Sequence, residues 1–462
     1  MRILLIEPAK SRVTVGGEDL SIFEPLALEY VAAGVSSDHD VRILDQRLDK
    51  DVRRALDDFR PDIVGITAYT VHVGVARALC EQVKTWRPTT LTVIGGHHAT
   101  VAPGDFVSPF IDLIVAGEGV CAFRTIVERF ERGRAFAGIP GVAFTRDQKL
   151  VMEVRPAAID LDALPFPDRA LTAQYRHEYF AEYMKPLASI RTSKGCPFRC
   201  NFCALWKLTE GRYLRRAPER IAEELAGIAE QYVFFADDES LIDAPRMMAL
   251  ARLIKAAGIR KRYYLYGRPD TIARNRELLA SWRDIGLERV FVGFESFRNE
   301  DLARINKKSS TGDNAEAARI LNELGISMHA SFMVRPEFGR EEFETLRRYC
   351  RTLDVPYAGF AVLTPLPGTD YYDEVKDTLL THDPAYFDFI HTVLPTKLPL
   401  EDFYRQYVRL VTKAVSPARI LSFFRKFPRR ELPRALAKVY RFVGRLRAIH
   451  RDYATQPSPG AR

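Results

Sequence analysis

Three of the six cysteines crowd into eight residues, at Cys196, Cys200 and Cys203. Three thiolates at this C-x3-C-x2-C spacing can wrap one iron–sulfur cluster from a single loop. On a four-iron cluster, three protein ligands leave one iron open to a small chelating ligand. The alternatives are a zinc knuckle without its fourth ligand and three unrelated core cysteines. A zinc site would need a further Cys or His at typical spacing, and none follows before His329. The pattern therefore favours a 4Fe-4S cluster.

The surroundings of these cysteines resemble a known superfamily. An aromatic residue, Phe202, precedes the last cysteine, and the loop follows the apolar run Ser189–Thr192, which opens a second series of strands. In both respects the sequence resembles the radical S-adenosylmethionine superfamily. The resemblance implies that the open iron binds the amino and carboxylate groups of S-adenosylmethionine. It also implies that an electron from the cluster cleaves the sulfonium.

Charged residues at later strand ends fit the same resemblance. It implies that Asp237 and Asp238, in the segment FFADDES, accept hydrogen bonds from the methionine ammonium. Arg268 would pair with the methionine carboxylate, and Glu295 with the carboxylate side or the ribose. The plain structural alternatives are a solvated turn for the aspartates and a surface ion pair for Arg268.

The fifth strand of this series departs from the family pattern. Many relatives have a Gly-rich turn there, whereas this chain has Arg335 and Pro336 in the segment FMVRPEF. We therefore assign no adenosine ligands at that strand.

The order of apolar runs indicates the elements that must position these residues. The chain has 462 residues, 47% hydrophobic and 28% charged, which fits two or three globular domains. Short apolar runs alternate with amphipathic segments, a pattern that predicts parallel sheets covered by helices. We expect an α/β fold in four parts. These are a doubly wound, flavodoxin-like domain (1–135), a small β excursion with a Pro-rich linker (136–182), a partial (β/α)6 barrel open on one side (183–375) and a helical basic extension (376–462).

The predicted strands fall into two sets. Those of the first domain are Ile3–Ile6, Val41–Leu44, Ile63–Thr67, Leu91–Ile94 and Leu113–Val115. Those of the barrel are Ser189–Thr192, Val233–Ala236, Tyr263–Tyr266, Val290–Gly293, Ser327–Val334 and Gly359–Leu363.

Small residues at two strand ends of the first domain predict a flat ligand floor. They are Gly95 and Gly96 in GGHHATVAP, and Gly117 and Gly119 around Glu118 in AGEG. Glycine lets a flat ring approach the backbone because it has no Cβ. Ligands of doubly wound folds bind at the carboxyl ends of the strands. These segments resemble the cobalamin-binding domain that precedes the barrel in one subgroup of the radical enzymes.

This second resemblance implies roles for several polar residues. Those that would hydrogen-bond the amide side arms or the displaced nucleotide tail of cobalamin are Asp45, Thr67, Thr70 and Thr100. His98 matches the usual His of the loop, while His97 stands where relatives often have Pro. Because the sequence lacks a D-x-H-x-x-G element, we expect a packed or hydrogen-bonded role for both histidines rather than cobalt ligation. The structural alternative is a flavodoxin-like domain without a cofactor.

Together the resemblances imply a methyltransferase that acts on an unactivated carbon. One S-adenosylmethionine would methylate reduced cobalamin, and another would be cleaved to a radical that abstracts hydrogen from the substrate. A reductant such as flavodoxin or ferredoxin would supply the electron. Two alternatives stay open: a cobalamin radical cyclase or oxidative rearrangement enzyme, similar to the anaerobic porphyrin cyclases, and a non-catalytic iron–sulfur protein. No catalytic side chain beyond the cofactor ligands is assigned.

The C-terminal part carries the whole positive excess of the chain. The net charge is +8, and eleven basic residues but one acidic residue, Glu431, stand between Pro417 and Arg451. Apolar residues recur beside them at three- and four-residue steps, which is typical of an interfacial amphipathic helix. The alternative is a helix whose apolar face packs on the barrel. Nucleic acid is not an expected partner, since the stretch has no stacking platform or recognised module.

Three further segments are similar to the hopanoid C-3 methylase group of these enzymes: FEPLALEYVAAG, SFMVRPEF and HTVLPTKLPLEDFYRQY. That resemblance implies a hopanoid-type lipid or another small molecule as substrate. The chain has no apolar run of about 18 residues, and its N-terminus, MRILLIEPAK, fits a buried first strand rather than a signal peptide. We expect a cytoplasmic protein with peripheral contact at the inner face of the membrane.

Overall fold

The fold is that of a computed structural model, which describes residues 1–16, 18, 21–146, 149–155 and 159–455. The expected α/β architecture is confirmed: a doubly wound domain, a six-stranded partial barrel and a helical extension follow one another. No described helix is long and apolar enough to cross a membrane.

The first domain alternates strands with helices. Its elements are β1 (Arg2–Glu7), β2 (Ser21–Ile22), α1 (Leu26–Ala33), β3 (Asp40–Asp45), α2 (Val52–Phe59), β4 (Ile63–Thr67), α3 (Val73–Trp86), β5 (Leu91–Gly95), α4 (His97–Val101), β6 (Leu113–Val115), α5 (Gly119–Glu131), β7 (Val142–Arg146) and β8 (Lys149–Met152). The sheet order is β3-β1-β4-β5-β6-β7-β8. The first five strands are parallel, in the flavodoxin-like order. The antiparallel β7 and β8 extend this sheet through β6, so the strands of the predicted β excursion belong to the first sheet.

The first sheet is buried on both faces. Successive residues of a strand point in opposite directions. Leu4 and Ile6 therefore join the core under α2 and α3, while Ile3 and Leu5 join the core under α1 and α5. Burial on both faces explains why these strands appear in the sequence as continuous apolar runs.

The second domain repeats the alternation around a curved sheet. Its elements are β9 (Phe180–Ala181), β10 (Leu187–Ile190), β11 (Ser193–Lys194), α6 (Leu205–Leu208), β12 (Leu214–Arg215), α7 (Pro218–Gly227), β13 (Tyr232–Phe235), α8 (Ala244–Ala256), β14 (Arg262–Gly267), α9 (Pro269–Arg274), α10 (Arg276–Asp284), β15 (Leu287–Glu295), α11 (Asn299–Arg304), α12 (Thr311–Glu323), β16 (Ser327–Val334), α13 (Arg340–Thr352) and β17 (Tyr357–Val362). The barrel strands lie in chain order, β10-β13-β14-β15-β16-β17, and all are parallel. Short ribbons pair β2 with β9 and β11 with β12.

The extension packs against the barrel. Its helices are α14 (Asp370–Val375), α15 (Leu400–Lys413), α16 (Pro417–Phe424) and α17 (Leu432–Ala448). Phe403 and Tyr407 of α15 join the barrel core. Phe423 of α16 stacks on Tyr357 at the amino end of the barrel, with ring centroids 5.2 Å apart. The basic stretch therefore forms two helices, separated around Pro428, and one of its faces packs as the alternative interpretation expected.

Buried ion pairs and hydrogen bonds join the two domains. Glu24 pairs with Arg176 and accepts a hydrogen bond from the backbone N–H of Ser189 in β10. Glu29 of α1 accepts a hydrogen bond from the Thr172 hydroxyl at 2.5 Å. Burial, and then the neighbouring carboxylate of Glu24, raises the pKa of Glu29 to about 8. These contacts run from α1 and the residue Glu24 before it to β10 and to the segment that precedes β10, and they hold the two domains against each other.

Candidate active site

The cysteine loop leaves β10 and passes through β11 before Cys196. Gly195 has φ +87°, and a Cβ there would lie 2.1 Å from the carbonyl oxygen of Arg212, so only glycine fits. The carbonyl of Cys200 accepts hydrogen bonds from Nε1 of Trp206 (3.0 Å) and from the backbone N–H of Cys203 (3.2 Å). These contacts fold the three predicted cluster ligands into one compact loop.

Burial makes two of the thiols, those of Cys196 and Cys203, weak acids. It raises the pKa of Cys196 to about 11 and the pKa of Cys203 to about 12. Since thiolates are the form that binds iron, a positively charged metal centre would have to stabilise them. No three His, Cys, Asp or Glu side chains of the described residues converge on a single metal ion. Ligands of a cluster bind separate irons, so the three thiols fit a cluster without such convergence.

Asp237, the first of three acidic residues after β13, ties this strand end to the cysteine loop. Its carboxylate accepts hydrogen bonds from the backbone N–H groups of Thr192 (2.7 Å) and Ser193 (2.9 Å). It also accepts one from the Thr192 hydroxyl at 2.5 Å. Because these contacts occupy both oxygens, the geometry gives Asp237 a structural role.

Asp238 and Glu239, the next two residues, approach the cysteines. Burial raises the pKa of Asp238 to about 6 and the pKa of Glu239 to about 7. After burial, the charge of Glu239 raises the pKa of Cys196, and the charge of Asp238 that of Cys203. Oε2 of Glu239 is buried and has no hydrogen-bond partner among the described residues. The other oxygen, Oε1, accepts a hydrogen bond from the backbone N–H of Arg268 at 3.1 Å. A buried carboxylate oxygen without a partner fits a cationic ligand such as an ammonium group. The sequence interpretation missed Glu239, although it stands in the same acidic run.

Arg268 is engaged within the chain. Its Nε donates to Oδ1 of Asp270 at 3.0 Å, and another nitrogen donates to the carbonyl of Lys307. The guanidinium carbon lies 3.5 Å from the ring centroid of Phe198, and Nη1 lies 4.0 Å from Sγ of Cys200. Arg268 therefore braces the cysteine loop and brings a positive charge to it. Its predicted pairing with a methionine carboxylate stays a prediction.

Glu295 also has a partner within the chain. It has φ +63°, and Oε1 lies 2.8 Å from Nζ of the buried Lys307. Its predicted contact with S-adenosylmethionine likewise stays a prediction.

A cavity of about 210 Å³ lies at the carboxyl edge of the first sheet. Its lining includes seven of the residues predicted to hold cobalamin: Thr67, Gly95, Gly96, Thr100, Gly117, Glu118 and Gly119. Arg191 and Lys194 of the barrel complete the wall and pair with Glu118 at 3.3 and 3.1 Å. Although burial acts to raise it, these two cations hold the pKa of Glu118 below its usual value. Both domains therefore contribute to the cavity.

The floor of the cavity is shaped for close approach. Gly96 has φ +100° and ψ −166°, a region nearly restricted to glycine. A Cβ there would lie 2.5 Å from Oγ1 of Thr67 and 2.8 Å from the backbone nitrogen of Ala68. Deeper in the cavity, a Cβ at Gly65 would lie 2.7 Å from the side chain of Leu5. A glycine floor with an apolar pocket beneath it fits a flat ring that has a buried side arm, as cobalamin has.

Three predicted cobalamin ligands do not line this cavity. Asp45 is fully buried, and Arg47 binds both of its oxygens, at 2.8 and 2.6 Å. His98 is also fully buried, with Nδ1 3.1 Å from Oγ1 of Thr70 and Nε2 2.8 Å from Oδ2 of Asp105. Thr70 and His98 thus brace the loop under the floor, which agrees with the hydrogen-bonded role expected for this histidine.

Two aromatic rings stand where the cavity meets the barrel. Tyr69 is 55% exposed, and its ring centroid lies 5.7 Å from that of His97. Burial lowers the pKa of His97 to about 4, so its imidazole is neutral at pH 7. Burial, and then the nearby Tyr69, raises the pKa of Tyr266 inside the barrel. The cavity and the barrel lumen therefore approach each other at Tyr69, which no sequence signal had singled out.

The lumen of the barrel is open and largely apolar. Inward-facing side chains of the last four strands keep partial exposure while their neighbours are buried: Tyr266, Phe291, His329, Ser331, Met333 and Ala361. The rings of Tyr266 and Phe291 lie 4.9 Å apart, and those of Phe291 and His329 lie 4.8 Å apart. Burial holds the pKa of His329 well below its usual range, so the imidazole is neutral. At the amino end, the fully buried Arg289 is paired with Glu182 at 2.5 Å.

Known proteins match this arrangement along most of the chain. The B12 binding domain model matches residues 12–127, and the radical SAM superfamily model matches residues 190–350. A hopanoid C-3 methylase of Methylococcus capsulatus is 35% identical over 84% of this chain and 75% of its own length. An uncharacterized methyltransferase of Pyrococcus horikoshii is 30% identical over 86% of this chain and 88% of its own. The solved radical S-adenosylmethionine methyltransferase TsrM of Kitasatospora setae is 19% identical with a TM-score of 0.70, covering 98% of this chain and 99% of its own.

The chain therefore belongs to the cobalamin-dependent radical S-adenosylmethionine enzymes, the family of these methyltransferases. Membership confirms the family recognised from the sequence and its three cofactors: the 4Fe-4S cluster, S-adenosylmethionine and cobalamin. The family also requires a small-molecule substrate and a reductant. The residue-level ligand assignments stay predictions, refined by the geometry described above.

Proposed function

We propose that this methyltransferase acts on an unactivated carbon of an apolar, polycyclic lipid of the hopanoid type. The observation that carries the proposal is the lumen wall, where Tyr266, Phe291 and Met333 stay partly exposed on the inward faces of three neighbouring strands. A substrate rich in charges or hydroxyl groups would leave polar groups unpaired against such a wall. The similarity to the hopanoid C-3 methylase supports the same substrate class.

We propose that Cys196, Cys200 and Cys203 hold the cluster, and that Asp238 and Glu239 accept hydrogen bonds from the ammonium of S-adenosylmethionine. Glu239 is favoured because its buried oxygen lacks a partner among the described residues. When bound, the cofactors supply hydrogen abstraction and methyl transfer, chemistry that amino-acid side chains do not provide. Asp237 and Arg268 act as positioning residues, because they hold the cysteine loop against the strand ends.

We propose that cobalamin lies on the floor formed by Gly95, Gly96 and Gly117, with a side arm in the apolar depth beside Gly65. Glu118, paired with two barrel cations, would fix the barrel against this floor. Both domains would then exclude water from the space at Tyr69, where the first-domain cavity and the lumen approach each other.

We further propose that the two basic helices touch an anionic membrane. Phe423 and Leu446 are buried, yet several apolar side chains stay exposed among the cations: Ile420, Leu421, Leu436, Val439 and Tyr440. Such a mixture is typical of interfacial helices. Sedimentation should show binding to phosphatidylglycerol vesicles and none to phosphatidylcholine vesicles. The double variant Leu436→Glu, Tyr440→Glu should lose that binding, and equal binding by the variant would contradict membrane contact through these helices.

The test of the proposed reaction is anaerobic reconstitution followed by incubation with a hopanoid. We expect methylated hopanoid with both S-adenosylhomocysteine and 5′-deoxyadenosine. Cys200→Ala should abolish all three, whereas Cys121→Ala, at an exposed cysteine of α5, should retain them. Deoxyadenosine without S-adenosylhomocysteine would favour a cyclase or rearrangement instead. Full in-cell function of Cys200→Ala would favour a non-catalytic protein.

A further inference from the structure

A second cavity lies at the amino end of the barrel, opposite the strand ends that carry the cysteine loop. Its volume is about 250 Å³, and residues of β9, β17, α16 and α17 line it. Its apolar walls are largely aromatic: Phe180, Tyr357, Phe423, Phe424, Phe427 and Val439. An apolar wall offers ordered water no hydrogen bonds, so it favours an apolar ligand. The volume is below the roughly 300–1,000 Å³ of typical small-molecule pockets, so it suits a single narrow chain rather than a polycyclic lipid.

The phenyl rings of α16 and of the turn after it build one part of the wall. The ring centroid of Phe427 lies 5.5 Å from that of Phe423 and 5.7 Å from that of Phe424. Since Phe423 also stacks on Tyr357, this part is anchored to the barrel. Helix α17 supplies another part, where Ala435 contributes only a methyl group. A larger side chain at Ala435 would therefore take up space inside the cavity.

The cavity opens beside the exposed apolar side chains of α17. Val439 lines the cavity and is also 39% exposed. Tyr440 follows it in the chain, and Leu436 precedes it by about one helical turn, and both are exposed. The exposed apolar strip of α17 is thus continuous with the cavity wall through Val439.

Three cations lie among the residues that line this cavity: Lys185, Arg434 and Lys438. Nζ of Lys438 lies 4.1 Å from the ring centroid of Phe180, and Nζ of Lys185 lies 5.8 Å from the same centroid. Arg434 is exposed and precedes Lys438 by about one turn of α17. Cations of this kind donate charge-assisted hydrogen bonds to phosphate oxygens.

Acidic side chains also face the two basic helices, but basic partners balance them. Glu178 lies 3.2 Å from Lys185, and Glu182 is paired with Arg289. Glu431, which also lines the cavity, is the one acidic residue against eleven basic residues between positions 417 and 451. Three further acids pair with cations of these helices: Asp354 with Arg419, Glu288 with Lys426 and Asp452 with Arg445. The surface around the cavity therefore keeps a net positive charge.

We propose that this cavity, here named the acyl cavity, binds one acyl chain of an anionic phospholipid, with the phosphate group beside Lys185, Arg434 and Lys438. The apolar wall takes the chain, and the cations hold the phosphate. One acyl chain together with a basic surface is a double attachment of the kind that keeps a protein at a membrane. The inference extends the proposed membrane contact and does not depend on which substrate is methylated.

The test is a calorimetric titration of the holoenzyme with dioctanoylphosphatidylglycerol, kept below its critical micelle concentration. Ala435→Phe places a ring inside the cavity. Its matched control, Ala437→Phe, adds the same ring at an exposed position of α17 outside the cavity lining. A second variant, Arg434→Gln, Lys438→Gln, removes two cations of the cavity. Its control removes two exposed cations of the same helix that lie outside the lining: Arg441→Gln, Arg447→Gln.

We expect the wild type to bind one lipid molecule and to unfold at a higher temperature when the lipid is present. Ala435→Phe should lose at least about tenfold in affinity, and so should Arg434→Gln, Lys438→Gln, because charged hydrogen bonds to the phosphate are lost. Both controls should match the wild type. Dioctanoylphosphatidylcholine should bind more weakly than dioctanoylphosphatidylglycerol, and glycerol 3-phosphate, which has no chain, should show no saturable binding.

Wild-type affinity in Ala435→Phe would overturn the proposal, as would an equal loss in Ala437→Phe. Binding of glycerol 3-phosphate as tight as that of the lipid would also overturn it, because the site would then recognise only an anion. Thermal unfolding without lipid shows whether Ala435→Phe is folded, and if it is not, the variant that lacks two cations decides. Vesicle sedimentation separates this proposal from the membrane contact. A wild type that binds the soluble lipid but no vesicles would sink that contact and leave the acyl cavity in place.

Discussion

The substitution Gly96→Ala tests the cobalamin floor directly. The backbone of Gly96, at φ +100° and ψ −166°, costs other residues on the order of 1–3 kcal/mol. The added Cβ would also lie 2.5 Å from Oγ1 of Thr67 and 2.8 Å from the backbone nitrogen of Ala68. Both atoms lie at the carboxyl end of β4. We therefore expect the loop that carries Gly96 to move, and the strand to stay in place. A shift that costs about 1.4 to 2.8 kcal/mol in the bound state lowers cobalamin affinity by about ten- to a hundredfold.

The matched control is Gly104→Ala, in the same connection between β5 and β6. A Cβ at Gly104 meets nothing within 4 Å, and its φ is not in the left-handed region. The assay is an anaerobic titration with hydroxocobalamin, with iron content and thermal unfolding measured on the same samples. We expect Gly96→Ala to keep its iron and lose cobalamin affinity, while Gly104→Ala keeps both. Wild-type affinity in Gly96→Ala would refute the reasoning, and so would a joint loss of iron and fold.

Three further substitutions test other parts of the molecule. Glu239→Gln should weaken S-adenosylmethionine binding about tenfold at pH 8, the size of one lost charged hydrogen bond. For the wild type we expect binding to decline as the pH falls through about 7, because this carboxylate becomes protonated there, and Glu239→Gln should remove that decline. Calorimetric titration measures the affinity for S-adenosylmethionine and its pH dependence. An unchanged pH profile in the variant would contradict the role of Glu239 as an acceptor for the ammonium. Glu29→Gln should flatten the pH dependence of stability. The folded-state pKa of Glu29, about 8, exceeds its ordinary value of 4.5, so folding takes up a proton between these pH values. The free energy of unfolding therefore falls as the pH rises from 4.5 to 8, by at most about 1.4 kcal/mol per pH unit. Urea unfolding at pH 6 and pH 8 checks this, and an equal slope in both proteins would refute it. His329→Phe should leave hopanoid binding within about threefold, whereas Met333→Glu should weaken it at least about tenfold, since a carboxylate on this apolar wall would have to lose its water against an apolar substrate. Equal affinities would argue against an apolar substrate.

Much of this architecture could be predicted from the sequence. The cysteine spacing and the alternating apolar runs are local patterns. A thiolate cluster needs its ligands within one loop, and a strand buried on both faces needs a continuous apolar run. The glycines at 95, 96, 117 and 119 were recognisable for a similar reason, since the need for close backbone approach acts on single positions.

The tertiary structure decided which polar residues are available to a ligand. Asp237, Asp238 and Glu239 are adjacent acids in the sequence, yet the hydrogen bonds of Asp237 to the cysteine loop leave Asp238 and the buried oxygen of Glu239 as the candidate acceptors. Glu118 had no visible partner in the sequence until the fold brought Arg191 and Lys194 beside it, 73 and 76 residues farther along the chain. The open lumen appeared only when four strands aligned their inward-facing side chains. The physical reason is the same in each case: a pattern along the chain specifies the local backbone, but the partners of a polar side chain come from residues that only folding brings near.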